Sequence, residues 1–122
     1  MPEKRSITLR LPWPPSLNRI WRAVNGRIVL SKIAREYKVQ IANVLPTGRV
    51  KPLTGRVSVT MLLCPPAALR NKVNDICNRE KLVCDTLTEQ RVWLDDGQID
   101  VILMGRGPES ANGHVDILIT EI

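Results

Sequence analysis

Prolines end three of the ordered segments that the sequence predicts, and they therefore limit how long each segment can be. A proline lacks the backbone N–H, and its ring clashes with the preceding helical turn, so it stops helices and interior strands. Pro12 ends a stretch of alternating apolar and polar residues, Pro46 ends a helical pattern, and Pro65 and Pro66 close an apolar strand. The chain is therefore predicted to form short elements, without repeats or low-complexity segments.

The first half of the chain predicts three strands and one helix. The segment "SITLRLP" alternates around Ile7, Leu9 and Leu11, which indicates a half-buried strand, and "WPPSLNRIW" after it is predicted to be a stiff loop. The other two strands are "GRIVLS" and "RVSVTMLLC". Between them lies the predicted helix "KIAREYKVQIANVL", whose N-cap is Ser31.

The second half predicts a helix followed by strands. The helix extends from Asp75 to about Gln90, because an acidic residue favours the positive N-terminal end of a helix. The segment "VWLDDGQIDVILMG" predicts a strand, a tight turn at Asp96 and Gly97, and another strand, and "HVDILITEI" is the last strand. The predicted fold class is thus α/β (α+β), a mixed, largely antiparallel sheet with two main helices in the order β-β-α-β-α-β-β, in a single domain over residues 1–122.

The core is predicted to consist mostly of valine, isoleucine and leucine, since 43% of the 122 residues are hydrophobic and phenylalanine is absent. Together with 25% charged residues, this composition is typical of a globular domain and not of a disordered chain. The few aromatic residues offer no platform for stacking single-stranded bases. They are Trp13, Trp21, Tyr37 and Trp93.

The formal net charge of +6 indicates a polyanionic partner, because a positive protein meets a phosphate backbone faster than a neutral one does. No block of consecutive like charges resembles a disordered tail. Two simpler interpretations stay open. Many small proteins are merely basic, and a small basic protein can also dock onto another protein.

Cysteine and histidine usage narrows the chemistry further. The three cysteines form no CxxC pair, which is typical of a reducing compartment. The single histidine, His114, argues against a multi-histidine zinc site and against a Ser-His-Asp triad. The sequence has neither a signal-peptide pattern nor about 20 consecutive apolar residues, so we expect a cytoplasmic protein without a membrane partner.

Acidic residues cluster in the stretch "DICNREKLVCDTLTEQRVWLDD". On the predicted helix, Asp75, Asn78, Lys81 and Asp85 fall within one arc, and Asp95 and Asp96 follow after a short strand. These acids converge if the turn folds back beside the start of the helix. Converging carboxylates suit Mg²⁺, and together with basic groups they suit phosphodiester hydrolysis.

A simpler interpretation of the same acids also stays open. Asp75 then only caps a helix, Asp85 is solvated, and Asp95 and Asp96 are ordinary turn residues.

Two separated motifs, "LPWPPSLNRIWR" and "NDICNREKLVCDTLTEQRVWLDDGQI", resemble those of the RusA family of Holliday junction resolvases (crossover junction endodeoxyribonucleases). The family carries a "WPPSxNxxxR"-like opening and a "DxDNxxKxxxDxL…WxDDxQ" core, and the likeness covers nearly the whole chain in order. It implies a homodimeric α/β endonuclease that cuts four-way junction DNA with Mg²⁺, for which Mn²⁺ can substitute, and that has no small-molecule substrate.

The resemblance also assigns roles to individual positions. It places catalytic groups at Asp75, Lys81, Asp95 and Asp96. The implied metal ligands are Asp75, Asp85, Asp95 and Asp96. The predicted DNA contacts are Asn18, Arg19, Arg22, Arg70, Lys72 and Asn78.

One position departs from the family motif: its second aspartate falls on Cys77. A thiol is a poor ligand for Mg²⁺, which prefers hard oxygen donors. Four alternatives follow. Asp85 or Asp95 replaces the lost carboxylate, the protein binds junctions with weak or no cleavage, the motif is displaced by one residue, or a softer ion is preferred.

Overall fold

A computed structural model describes residues 4–45, 51–70 and 75–122. The order of the main elements is β1 Ser6–Pro12, β2 Trp21–Val24, β3 Arg27–Leu30, α1 Lys32–Val44, β4 Val57–Cys64, α2 Glu80–Glu89, β5 Ile99–Arg106 and β6 His114–Glu121. Short 3₁₀ helices cover Leu17–Arg19, Ala67–Leu69 and Asp96–Gln98. Within the described ranges, neither α-helix has the length and apolar character needed to cross a membrane.

The main sheet has four strands in the order β1-β6-β4-β5. Strand β6 pairs antiparallel with β1 and with β4, whereas β4 and β5 run parallel and are connected through α2. A parallel pair requires such a crossover connection. The predicted mixed, largely antiparallel sheet with two helices is confirmed.

The core lies on one face of this sheet. Alternating residues of β4 and β6, such as Val59 and Ile117, are buried and pack in one cluster with Tyr37 and Ile41 of α1 and Leu87 of α2. Because successive strand residues point to opposite faces, the other face carries the intervening residues. We call that face the outer sheet face; its exposed apolar residues are Leu62, Val101, Leu103 and Leu118.

The predicted order of elements is confirmed, with one strand added to it. Trp21 begins β2, so the predicted loop "WPPSLNRIW" ends in a strand that forms a separate hairpin with β3. Asn25 and Gly26 connect the two strands with φ values of 51° and 77°. A two-residue hairpin turn needs positive φ at both positions, and the Asn-Gly pair in the sequence is the signal for it.

The predicted start of the second helix was wrong, whereas its predicted end at about Gln90 is confirmed. The helix begins at Glu80 and not at Asp75, so Asp75 is not its N-cap. Asn78 has a φ of 68°, a left-handed conformation that interrupts a right-handed helix and that asparagine tolerates better than most residues. Asp75 and Asn78 therefore lie on an irregular segment before α2, and not on a helical arc with Lys81.

The short strand predicted before the acidic turn, which the order β-β-α-β-α-β-β does not count, was also wrong. Residues 92–95 form only an isolated bridge between Trp93 and Leu53. Trp93 is fully buried, so burial of its indole ring decides the local conformation. Asp95 then caps the 3₁₀ helix Asp96–Gln98, where a hairpin turn was predicted.

Candidate active site

Hydrogen bonds to Thr88 and Trp93 anchor the Asp96 carboxylate to the core. Its Oδ1 accepts a hydrogen bond from the Thr88 hydroxyl of α2 and lies 3.4 Å from the indole Nε1 of Trp93. The same indole N–H lies 2.6 Å from Thr88 Oγ1. Because Trp93 is fully buried, this contact fixes where the Asp96 carboxylate stands relative to α2.

Lys81 and Asp85 form an ion pair on α2, with Nζ and Oδ1 2.8 Å apart. Their spacing of four residues places them on neighbouring turns of one helix face. The hydrogen bond to Asp85 raises the pKa of Lys81, and the negative charge of Asp96 raises it further. Lys81 therefore carries a full positive charge beside the Asp96 carboxylate at neutral pH.

Glu80 was not predicted as a site residue, although it is the first residue of α2. Its Oε2 atom is buried and has no hydrogen-bond partner among the described residues. An ionised carboxylate in that position is costly unless a cation or a donor reaches it. The position of Glu80 near the apolar side of the predicted helix was the one sequence sign of this burial.

The buried thiol of Cys84 is affected by the charges of three nearby acids. Burial raises the pKa of its thiol to about 12, and the negative charges of Asp96, Glu80 and Asp85 contribute to the increase. Three carboxylates from α2 and from the segment after it thus act on one buried sulfur atom.

Asp95 has a different role from that of its neighbour. Its Oδ1 accepts a hydrogen bond of 2.7 Å from Gly97 N, and the Asp95 backbone N–H donates to Gln98 Oε1 at 2.9 Å, which completes a capping box. The amide of Gln98 also donates to the carbonyl oxygens of Leu53 and Gly55, each at 2.8 Å. Asp95 therefore holds the turn on which Asp96 is presented.

Asp75 lies beside a second group that was not predicted, the guanidinium of Arg79. Arg79 Nε donates to the Asp75 carbonyl oxygen at 2.7 Å, and Nη1 donates to the Pro14 carbonyl oxygen at 2.8 Å. The guanidinium also stacks 4.8 Å from the centre of the Trp13 ring. Arg79 thus joins the proline-rich loop to the segment that carries Asp75.

Electrostatic effects on Arg79 reveal a cationic surface around it. Burial lowers its pKa, and the positive charges of Arg106 and Arg19 lower it further, while the Asp75 carboxylate opposes the decrease. Neighbouring positive charges repel one another, so a bound anion such as a phosphate stabilises this surface. The sequence did not single out Arg79 or Arg106, because the distances among these three arginines are set by the folded chain.

The other predicted DNA contacts are distributed over several elements. Asn18, Arg19 and Arg22 are exposed on the 3₁₀ helix after the proline-rich loop and on β2, and Asn78 is exposed before α2. Arg70 is exposed and paired with Glu109, its Nε 2.7 Å from Oε1. Lys72 lies outside the described residues.

Comparison with known proteins agrees with this arrangement. Residues 12–120 match the family model described as endodeoxyribonuclease RusA. The chain belongs to the RusA family. The crossover junction endodeoxyribonuclease RusA of Escherichia coli (strain K12) is 31% identical to it over 96% of both chains. The proteins of the same name from Enterobacteria phage 82 and Shigella sonnei (strain Ss046) are 31% and 30% identical, over 93% and 96% of both chains.

RusA nucleases depend on metal ions in general, and the donor set of this chain fits a hard cation. Asp75, Glu80, Asp85 and Asp96 offer oxygen ligands of the kind that Mg²⁺ prefers. The unpartnered Oε2 of Glu80 is the donor that a bound cation would satisfy. Within the described ranges, however, no three of these carboxylates have donor atoms within 4.8 Å of one another, so a bound cation would draw them closer.

Proposed function

We propose that this RusA-family protein is a structure-specific endonuclease that resolves Holliday (four-way) junctions by Mg²⁺-dependent phosphodiester hydrolysis in DNA recombination and repair. The family match and the relatives named as crossover junction endodeoxyribonucleases support the activity. The observation that carries the proposal is the Lys81–Asp85 ion pair on α2, with the Asp96 carboxylate close enough to act on Lys81, on a chain with a net charge of +6.

Asp75, Asp96 and Glu80 are the proposed Mg²⁺ ligands. Bound Mg²⁺ supplies an activated water and a charge partner for the leaving oxygen. Asp96 reaches the cation from a position set by Thr88 and Trp93. Asp75 comes from the irregular segment before α2, which Arg79 holds against the proline-rich loop.

Glu80 takes the place of the carboxylate that the family motif has at Cys77. Of the candidates, Asp95 is engaged in capping the turn and Asp85 in holding Lys81, whereas a Glu80 oxygen is buried without a partner. Cys77 itself is exposed. A thiol there contributes little to Mg²⁺ binding, because the ion prefers hard oxygen donors.

Lys81 stabilises the negative charge that develops on the phosphate. It donates through Nζ, and Asp85 orients the ammonium group from 2.8 Å away. The raised pKa of Lys81 keeps it protonated during the reaction. A charged donor aimed at the developing charge is worth more in the transition state than in the ground state.

DNA backbone contacts come from the basic groups around the proline-rich loop. Arg19, Arg22 and Asn18 are exposed there, Asn78 is exposed before α2, and Lys72 precedes Asp75 by three positions in the sequence. Arg79 and Arg106 add positive charge next to Arg19. Such contacts neutralise phosphates and release counterions, so binding weakens as salt rises. Arg70 joins them when its pairing with Glu109 opens.

The functional unit is a homodimer, because a four-way junction has near two-fold symmetry and two opposed cuts need two sites. The outer sheet face supports this, since Val101, Leu103, Leu118 and Leu62 are between 40% and 60% exposed on adjacent strands. An uncovered apolar sheet face of this kind is typical of an interface.

A labelled four-way junction tests the proposal. With Mg²⁺, the wild-type protein is expected to make paired, symmetric nicks, and it should leave a linear duplex of the same sequence intact. A shifted band without nicks would instead identify a junction-binding protein that does not cleave. Equal affinity for junction and duplex at moderate salt would contradict junction recognition altogether.

A further inference from the structure

A second group of metal-binding side chains lies at the end of the sheet, on the outer sheet face. Cys64, the last residue of β4, is paired directly with His114, the first residue of β6, and Asp116 follows two positions later on β6. Residues two apart on a strand point to the same side, and directly paired residues do so as well. Strand register therefore brings a thiol, an imidazole and a carboxylate together.

The donor atoms of these three residues already lie close to one another. Within the described ranges they form the one group of three histidine, cysteine or acidic side chains whose ligand atoms are all within 4.8 Å of each other. His114 Nε2 and Asp116 Oδ2 are 3.3 Å apart. Two ligands on a tetrahedral Zn²⁺ at bond lengths of about 2.0–2.1 Å are separated by about 3.3 Å.

A hydrogen bond with Ser110 fixes the orientation of the His114 ring. Ser110 Oγ lies 3.0 Å from His114 Nδ1, and an N–H on Nδ1 that donates to Ser110 leaves the Nε2 lone pair on the side of Asp116. Ser110 is itself fixed by backbone bonds to Pro65 and Ala67. In metal sites, a hydrogen bond to the imidazole nitrogen that does not bind the metal fixes the ring orientation in this way.

Asp116 is oriented by Arg10 on β1. Arg10 Nε donates to Oδ1 at 2.7 Å, and Nη2 donates to Oδ2 at 3.1 Å. The Arg10 side chain is 69% exposed, so it can keep its bond to Oδ1 while Oδ2 turns to a cation. The carboxylate is therefore positioned without being closed off.

We propose that Cys64, His114 and Asp116 bind one Zn²⁺ ion, at a site separate from the carboxylates at the start of α2. A thiolate with an imidazole selects a borderline ion such as Zn²⁺ and disfavours Mg²⁺. Binding releases the thiol proton of Cys64 to solvent, and a water molecule takes the fourth position. In the single chain, His114 and Asp116 are 18% and 35% exposed, which leaves a path for the ion. The bound ion fastens the end of β4 to β6.

Metal-free protein titrated with Zn²⁺ alone, and separately with Co²⁺, tests this site. One Zn²⁺ per chain is expected by calorimetry, and the Co²⁺ form should show a thiolate-to-cobalt charge-transfer absorption. Cys64→Ser should abolish that absorption, and Ser110→Ala should weaken Zn²⁺ binding about 10- to 100-fold. Cys77→Ser, which removes an exposed thiol elsewhere, should change neither.

Three outcomes would overturn the proposal. They are a wild-type Co²⁺ spectrum without the charge-transfer band, a band that survives in Cys64→Ser, and a band that disappears in Cys77→Ser. Because Cys64 is buried, Cys64→Ser can fail to fold. His114→Gln, at a partly exposed position, then serves as the deciding variant: it should lose tight Zn²⁺ binding while the circular dichroism spectrum stays unchanged.

Discussion

The two proposed metal sites differ in how the fold assembles them. The ligands at the sheet end lie on paired strands, and their donor atoms are within 4.8 Å of one another. The carboxylates of the proposed active site come from an irregular segment, from α2 and from a 3₁₀ turn, and only those of Glu80, Asp85 and Asp96 act on the buried Cys84 thiol, without forming such a group within the described part of the chain. Strand register fixes distances by itself, whereas ligands on separate segments depend on the contacts that anchor each segment.

The largest effect is expected from Asp96→Asn, which removes one proposed ligand at the more loosely assembled site. Junction cleavage should fall by on the order of 10²–10³-fold, the scale on which one preorganised charged group contributes to catalysis. Junction binding measured by band shift should be retained. Asp100→Asn, at an exposed acid paired with Arg56, is the matched control and should cleave normally. Unchanged cleavage by Asp96→Asn would place the site elsewhere.

Gly107→Ala acts on the sheet end without touching the acids at α2. A Cβ at Gly107 would stand 2.7 Å from Cys64 Sγ and 2.8 Å from Leu62 Cγ, closer than such atoms approach. We expect a loss of about 1–3 kcal/mol in the free energy of unfolding, measured by urea denaturation. Gly105→Ala is the control, because an added Cβ there meets nothing within 4 Å. Equal stability of the two variants would show that this region repacks freely.

Glu80→Gln tests whether this residue replaces the carboxylate missing at Cys77. Cleavage should decrease about tenfold, by analogy with the loss of a supporting metal-site group. Cys77→Asp should increase cleavage and should restore it in the double variant with Glu80→Gln. Glu89→Gln, at the exposed end of α2, is the control. A double variant no better than Glu80→Gln would separate the two positions.

Asp85→Asn should have the smallest effect, confined to alkaline pH. The Asp85 carboxylate raises the pKa of Lys81, so its removal lowers that pKa. If the protonated lysine is the active form, the alkaline limb of the cleavage profile should move to lower pH in Asp85→Asn, while the rate near neutrality changes little. Glu36→Gln, which removes an exposed acid paired with Lys32, should leave the profile in place. An unshifted limb would exclude Lys81 from the titration.

Most of the fold could be predicted because each element leaves a local signal. Alternation gave β1, β4 and β6, and helical periodicity with a Ser31 cap gave α1, whose Ala34 N–H does bond to Ser31 Oγ at 3.2 Å. The predictions were wrong where tertiary packing or an unusual backbone conformation overrides the local preference for a strand or a helix. Trp93 is drawn into the core in place of a strand, and the left-handed Asn78 delays α2 to Glu80.

The candidate site could be predicted only as a set of residue types. The motifs named Asp75, Lys81, Asp85 and Asp96, and the structure pairs Lys81 with Asp85 and places Asp96 near both. Glu80 and Arg79 were missed, since an unpartnered buried oxygen and a guanidinium stacked on Trp13 are properties of the folded chain. Whether the predicted ligands bind a cation together stays a prediction.

The sequence by itself determined the family, the order of the elements and the chemistry available, because these depend on residue identity and short-range periodicity. Tertiary structure alone decided which groups meet: Arg79 with Trp13, Asp96 with Thr88, and Cys64 with His114 across 50 residues of chain. The physical reason is that distances between remote segments follow from packing and strand register, and neither is encoded in any one stretch of the chain.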